Sequence, residues 1–294
     1  MDTDNRFPIG FSMALAHNIS AFNAFLSMDD GTQDEIIEKS KQEVKEMKKI
    51  QIDILRNVKI FCEKNNIRYF LCGGTLLGAV RHKGYIPWDD DLDVEILYKD
   101  YDRLMKVLRE ELPEQYGIQN DETDSGYFFC FAKLRDKRSY LEETNHYDRI
   151  FEQRGIFIDI FTYEKMPPLL HWISCRTHGF VYKVMKNPEY SDQQAKRKVR
   201  KILAFNKRFV FPLLRALAAL WPNKQLRYSP GIPYDNTIYA DETFPLAKAK
   251  FEGYDMPVPC DSHAYLTRKF GDYMKLPNLD TLHPHADKMT IEED

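Results

Sequence analysis

The order of hydrophobic patterns along the chain predicts a mixed fold of α+β or α/β class. Three observations carry this: apolar residues at helical spacing from Val44 to Phe61, a short apolar run from Ile67 to Cys72 closed by Gly73-Gly74, and alternating acidic and apolar residues from Asp91 onward. In order, residues 1–31 show no clean periodicity and read as an appendage ending in the turn-like Asp29-Asp30-Gly31. Thr32 and Glu35 have capping-box spacing and open a long amphipathic helix through Val44, Met47, Ile54, Val58 and Phe61 to Asn65-Asn66. Ile67 to Cys72 is short, apolar and β-prone, a buried strand entering a Gly-Gly turn, and Leu76 to Arg81 follows as a short helix.

Past Pro87-Trp88, the alternation places Asp91, Asp93 and Glu95 on one face of a strand. Tyr101, Leu104, Met105 and Leu108 mark a helix before Pro113, and Tyr127 to Leu134 and Gly155 to Phe161 read as further strands. From Gln193 to Tyr228 the chain has ten Lys or Arg residues and no Asp or Glu, interleaved with Leu and Phe at helical intervals. Ser262 to Phe270 is a short helix, and the tail beyond Pro277 is loosely held. The resulting division is an appendage at 1–31, a catalytic core at 32–190, a basic amphipathic helical insertion at 191–230, and a C-terminal segment at 231–294 packing on the core.

Composition narrows the function. With 42 Lys plus Arg against 45 Asp plus Glu in 294 residues, the net charge is −3, which argues against a dedicated nucleic-acid binder. The five cysteines are scattered without a CxxC pair, so a reduced compartment is expected. No run reaches the roughly 18 apolar residues of a membrane span, and no basic segment precedes the weakly apolar Phe7 to Leu26. A cytoplasmic protein is expected. The basic stretch from Lys196 to Arg227 is open to three readings, a solvated hairpin packed on the core, a helical face lying on the inner surface of an anionic membrane, or, least of the three, a nucleic-acid contact.

Two carboxylates two residues apart on a strand point at one place, and a hard divalent cation is the usual reason to tolerate their repulsion. Asp91 and Asp93 are that pair. Gly73-Gly74-Thr75, ahead of a helix N-terminus, lets backbone N–H groups approach a phosphate. Asp159 is an isolated acid in an apolar strand, expensive to bury unless paired or metal-bound. Arg81, His82 and Lys83 lie between the glycines and the carboxylates, placed to hold a diphosphate. The joint order is phosphoryl-transfer equipment.

The run from Gly74 through Arg81-His-Lys-Gly-Tyr-Ile-Pro-Trp-Asp-Asp-Asp-Leu-Asp-Val94 closely resembles the signature of the LicD family of phosphocholine transferases, whose distant relatives include fukutin and fukutin-related protein. Ala132-Lys-Leu-Arg135, Gly155-Ile-Phe-Ile-Asp-Ile-Phe161, Pro257-Val-Pro259 and Phe270-Gly-Asp-Tyr-Met-Lys-Leu-Pro277 support it, over roughly residues 40–165 and 245–280. The resemblance implies an α+β, nucleotidyltransferase-like mixed sheet flanked by helices. It also implies transfer of a phosphoalkyl group, phosphocholine from CDP-choline foremost, to a hydroxyl of a surface polysaccharide or lipid-linked glycan with release of CMP. Carried onto this chain, Asp91 and Asp93 bind Mg²⁺ or Mn²⁺, and Asp159 is a further ligand or the base for the acceptor hydroxyl. Gly73, Gly74 and Thr75 hold phosphates, and Arg81, His82, Lys83, Lys133 and Arg135 offset diphosphate charge.

The general nucleotidyltransferase pattern is shorter, since 16 residues separate Gly74 from Asp91 here. The LicD-like signature shares the longer insert. Asp89 stays open between facing the metal and shaping the turn after Pro87-Trp88. Two other functions compete: a glycosyltransferase using Asp-x-Asp for a nucleotide sugar, and an idle scaffold of the same fold. The glycine turn and Asp159 weigh against the first, and three intact, mutually repelling carboxylates against the second.

Overall fold

The computed structural model describes residues 19–222, 225–234, 237–276 and 286–291. Most of the tail beyond Pro277 and residues 1–18 of the expected appendage lie outside them. Helix α1 (Ile19–Leu26) precedes the long helix α2 (Asp30–Lys64). The cap of α2 is Asp29, whose carboxylate accepts from both the N–H and the hydroxyl of Thr32. Thr32 is thus a donor inside the first turn and not the cap itself, because a carboxylate is the stronger acceptor for the helix's unpaired N–H groups. The expected boundary at residue 31 moves back accordingly.

Met47, Gln51, Ile54, Leu55, Val58, Phe61 and Cys62 form the buried stripe of α2. It packs on a mixed sheet whose strands, in spatial order, are β1 (Tyr69–Leu71), β2 (Asp93–Leu97), β6 (Phe157–Lys165), β4 (Ala132–Asp136) and β3 (Tyr116–Gln119). Strands β2 and β6 run parallel and the other pairs antiparallel. β6 is long enough to pair β4 along its first half and β7 (Leu226–Tyr228) along its second, and β8 (Thr237–Ile238) adds to β7. The end of the expected insertion at 191–230 is therefore a strand of the main sheet. Phe70, Leu71, Val94, Ile96, Ile158 and Ile160 are fully buried, each contributing about 1.5–3 kcal/mol relative to exposure.

The expected strand from Tyr127 is displaced: β4 begins at Ala132, and Tyr127, Phe128, Phe129 and Phe131 precede it as a ring cluster in which Phe129 stacks on Phe131 and the other contacts are tilted or edge-on. Aromatic packing outweighs the β propensity of these residues. Helix α3 (Gly73–Arg81) takes in the glycine pair, and α4 (Tyr98–Glu111) follows β2. β5 (Ser139–Glu143) pairs with β11 (Ala286–Ile291), so part of the tail expected to be loose is held in a sheet. β9 (Ala247–Phe251) and β10 (Tyr254–Val258) form a hairpin after a short helix α8 (Ala240–Thr243).

Helix α5 (Pro168–Met185) pairs with a helical rod made of α6 (Asp192–Phe205), a π-helical stretch (Asn206–Val210) and α7 (Phe211–Leu220). Pro212 has no N–H for the carbonyl one turn back, and the wider π turn before it absorbs that defect. Helix α9 (Ser262–Phe270) matches the expected span. No helix of the described residues is long and apolar enough to cross a membrane.

His178 of α5 is completely buried among Cys130, Tyr182 and Phe211, and burial lowers its pKa to about 4. An unfolded histidine protonates near 6.5, so below that pH the unfolded state binds the extra proton and stability falls with falling pH. Asp93 and Asp159, whose pKa values are raised, act in the opposite sense. The comparison is therefore with His178→Gln: between about pH 7 and about pH 5 the wild type loses about 2 kcal/mol more in urea denaturation than the variant.

Candidate functional site

The floor of the site is set by strand register. Asp93 on β2 stands opposite Asp159 on β6, and Asp159 stands opposite Lys133 on β4, so the three form one row across the sheet. The Lys133 ammonium forms an ion pair with Asp159, 3.0 Å from its Oδ1, and lies 3.8 Å from Glu143. Arg135 Nη2 donates to Glu143 Oε1 at 2.9 Å, and its other nitrogens reach Gln119 and the carbonyl of Gly155. Left alone, burial would raise Glu143, but Lys133 and Arg135 hold it below the usual carboxylate range.

Asp93 is raised well above the usual range, first by burial and then by Asp91 and Asp159, against the pull of Lys269. Burial likewise raises Asp159 to about 6, with Lys133 opposing and Asp91 adding to the rise. Burial is thus the first cause of both shifts, with the neighbouring carboxylates adding to it and Lys133 and Lys269 opposing it.

Gly73 and Gly74 open α3 directly over this row. Gly73 has φ of +54°, and a Cβ there would fall 2.8 Å from Asp93 Oδ2; one on Gly74 would fall 2.5 Å from Asp89 Oδ2. The missing side chains admit carboxylates close to the helix start. The Thr75 hydroxyl accepts from the backbone N–H of Asp93 at 2.8 Å, fixing the acidic strand to α3. Gln51, buried in the stripe of α2, donates from Nε2 to the carbonyls of Asp90 and Phe157, and Tyr85 donates its hydroxyl to Gln51 Oε1. This holds the loop carrying Asp89, Asp90 and Asp91, whose carboxylates each bring an oxygen within 4.8 Å of the others. Such hard oxygen donors suit Mg²⁺ or Mn²⁺.

Above the floor lies a cleft of about 800 Å³. Lys269, Tyr273 and Lys275 from the C-terminal segment form one side, and Phe129, Tyr147, Tyr182 and Tyr234 form an aromatic side. Phe129, Tyr147 and Tyr182 have ring centroids 5.6 to 6.5 Å apart. Arg81 reaches the cleft while donating to the carbonyl of Tyr273. Glu95 shares the side of Asp93 but is covered: Tyr228 and Tyr265 both donate to its Oε1, at 2.6 and 3.0 Å. It clamps β7 and α9 onto β2.

A mixed sheet presenting carboxylates from adjacent parallel strands beneath a Gly-Gly helix start defines a nucleotidyltransferase-like domain. The profile described as "LicD/FKTN/FKRP, nucleotidyltransferase domain" matches residues 66–220, and the chain belongs to the LicD family. That match runs past residue 165 through the helical pair to Leu220, so the basic stretch lies largely inside the family domain. The "Lipopolysaccharide cholinephosphotransferase LicD" of Haemophilus influenzae is 29% identical over 257 residues, covering 82% of this chain and 95% of that protein. The human "Ribitol 5-phosphate transferase FKRP" is 33% identical over 87 residues, 29% of this chain and 16% of that protein.

Of the residues named from sequence, Gly73, Gly74, Arg81, Asp91, Asp93, Lys133 and Asp159 line the cleft. Four others do not: Thr75 lies buried beneath it, Arg135 is buried behind Glu143, His82 turns to the edge of Trp88, and Lys83 is exposed beside the β9–β10 hairpin. Asp89 faces the cleft. Sequence reasoning missed Gln51, although a polar residue on an apolar helical stripe was a signal. It also missed Lys269, whose local sequence holds none.

Thr75→Val leaves the Asp93 N–H without its acceptor. Urea denaturation should show a loss of about 1–2 kcal/mol, and Thr75→Ser should restore it.

Proposed function

We propose that this chain is a metal-dependent phosphotransferase moving phosphocholine from CDP-choline to a hydroxyl of a lipid-linked or surface glycan, releasing CMP. The in-register row Asp93–Asp159–Lys133 beneath the glycine pair is the observation that carries the reading. The acceptor oxygen attacks the choline-bearing phosphorus, the bond from that phosphorus to the bridging oxygen breaks, and CMP leaves with the electron pair. Asp159 takes the acceptor's proton: it sits in the row, and its pKa near 6 suits a base working near neutrality. Lys133 holds Asp159 in place, and Lys269, Lys275 and Arg81 face the diphosphate. Bound by Asp91 with Asp93 or its neighbours Asp89 and Asp90, Mg²⁺ or Mn²⁺ would neutralise charge on the diphosphate.

Choline is favoured as the head group by the aromatic side of the cleft, since Phe129, Tyr147 and Tyr182 offer π faces to a quaternary ammonium. The LicD relative named for choline also spans most of this chain, whereas the ribitol 5-phosphate transferase matches less than a third of it.

CMP release is measured with Mg²⁺ from CDP-choline, CDP-ribitol, CDP-glycerol and CDP-ethanolamine. CDP-choline should yield CMP, and Asp91→Asn should lose at least about 100-fold. Release from CDP-ribitol alone would reassign the head group. Consumption of a nucleotide sugar instead would leave the family as fold only and favour the glycosyltransferase. Tyr182→Ala should raise KM for CDP-choline about tenfold with kcat little changed. Mg²⁺ should raise the melting temperature of the wild type and leave that of Asp91→Asn unmoved.

A further inference from the structure

The helical pair α5 and α6–α7 is apolar on two sides. Its inner side is buried: Val181 and Val199 pack with Tyr127, Phe128, Ile150 and Phe151 of the body, and Leu170, Leu214 and Ala218 close α5 and α7 on each other. The outer side exposes Leu169, Trp172 and Phe180 on α5. On the rod it exposes Phe205, Phe209, Leu213 and Leu217, one every four residues across the π-helical stretch. Phe180 and Phe205 line a single groove of about 620 Å³ between the two helices, so the stripes adjoin. A contiguous apolar surface of this kind marks an interaction site in a protein that has somewhere to put it.

We propose that this outer face docks on a lipid bilayer carrying anionic headgroups. Charge selects that partner. From Pro168 to Leu220 the acidic residues are Glu189 and Asp192 alone, and Asp192 is paired with Arg149. Cations flank the exposed rings: Arg176 over Trp172 at 4.9 Å, Lys183 over Phe180 at 5.0 Å and Arg208 over Phe209 at 5.8 Å. Among the described residues, Lys201 and Arg208 have no acidic partner. Rings that enter the acyl boundary beneath cations held at headgroup level are the arrangement of an interfacial helix. A second copy of the chain would set this cationic face against itself. The inference stands apart from the transferase reading and is tested without donor or acceptor.

The test is flotation of the full chain with vesicles of phosphatidylcholine containing about one-third phosphatidylglycerol, against pure phosphatidylcholine. The wild type should float with the anionic vesicles and release as salt is raised. Phe209→Ser with Leu213→Ser, both exposed, should weaken partitioning at least about tenfold while the melting curve stays unchanged. Arg208→Ala should weaken it about fivefold. Three results would overturn the proposal: a wild type that stays with the aqueous phase, a double variant that floats as the wild type does, or a wild-type dimer by light scattering that the double variant dissolves.

Discussion

Asp93 and Asp159 face each other on the one parallel strand pair of the described sheet, and much of the molecule is arranged around keeping two carboxylates there. Repulsion between acids in a poorly hydrated floor grows as water is excluded. The protein answers with charge at three levels. Lys133 pairs Asp159 from the neighbouring strand, Lys269 approaches Asp93 from the C-terminal helix, and Arg135 with Glu143 completes a network behind Lys133. Truncating one partner of such a network strands a buried charge, which is far more damaging than never having built the pair.

Scaffolding groups hold the acids in place without touching the cleft themselves. Thr75 ties Asp93 to α3, and Gln51 ties the acidic loop to α2 and β6. The long spacing between glycines and carboxylates also has a structural occupant. The loop after α3 passes close under Gly78 and is strapped to the β9–β10 hairpin by Glu252, which accepts from Tyr85 and donates its own N–H to Lys83.

What was legible in the sequence follows from how local each signal is. The stripe of α2, the glycine pair and the lone Asp159 are encoded within a few residues and reappear in the structure, while the acidic alternation does so only from Asp93, since Asp91, expected on the same strand, lies in the loop before β2. The strand at Tyr127 was misplaced because ring packing between distant segments decides that backbone. β3, β5 and the C-terminal strands went unseen, being short and dependent on their partners. Arg135 and Lys133 show the limit most clearly. They sit two residues apart on one strand, look interchangeable in sequence, and divide into a buried brace and a cleft-facing cation. Lys269 reaches Asp93 only because the chain returns after more than half its length.

That return has a consequence for how the protein is made. Glu95 is clamped by Tyr228 and Tyr265, partners 133 and 170 residues further along. A nascent chain therefore carries its acidic row long before it carries the residues that roof it. Synthesis, not only folding, sets when the cleft can be completed: a chain that ends before α9 has the segments bearing the carboxylates but neither Lys269 nor Tyr265. Contacts so distant in sequence also make assembly slow compared with local helix formation. Incomplete chains lack the C-terminal side of the cleft, which Lys269, Tyr273 and Lys275 supply.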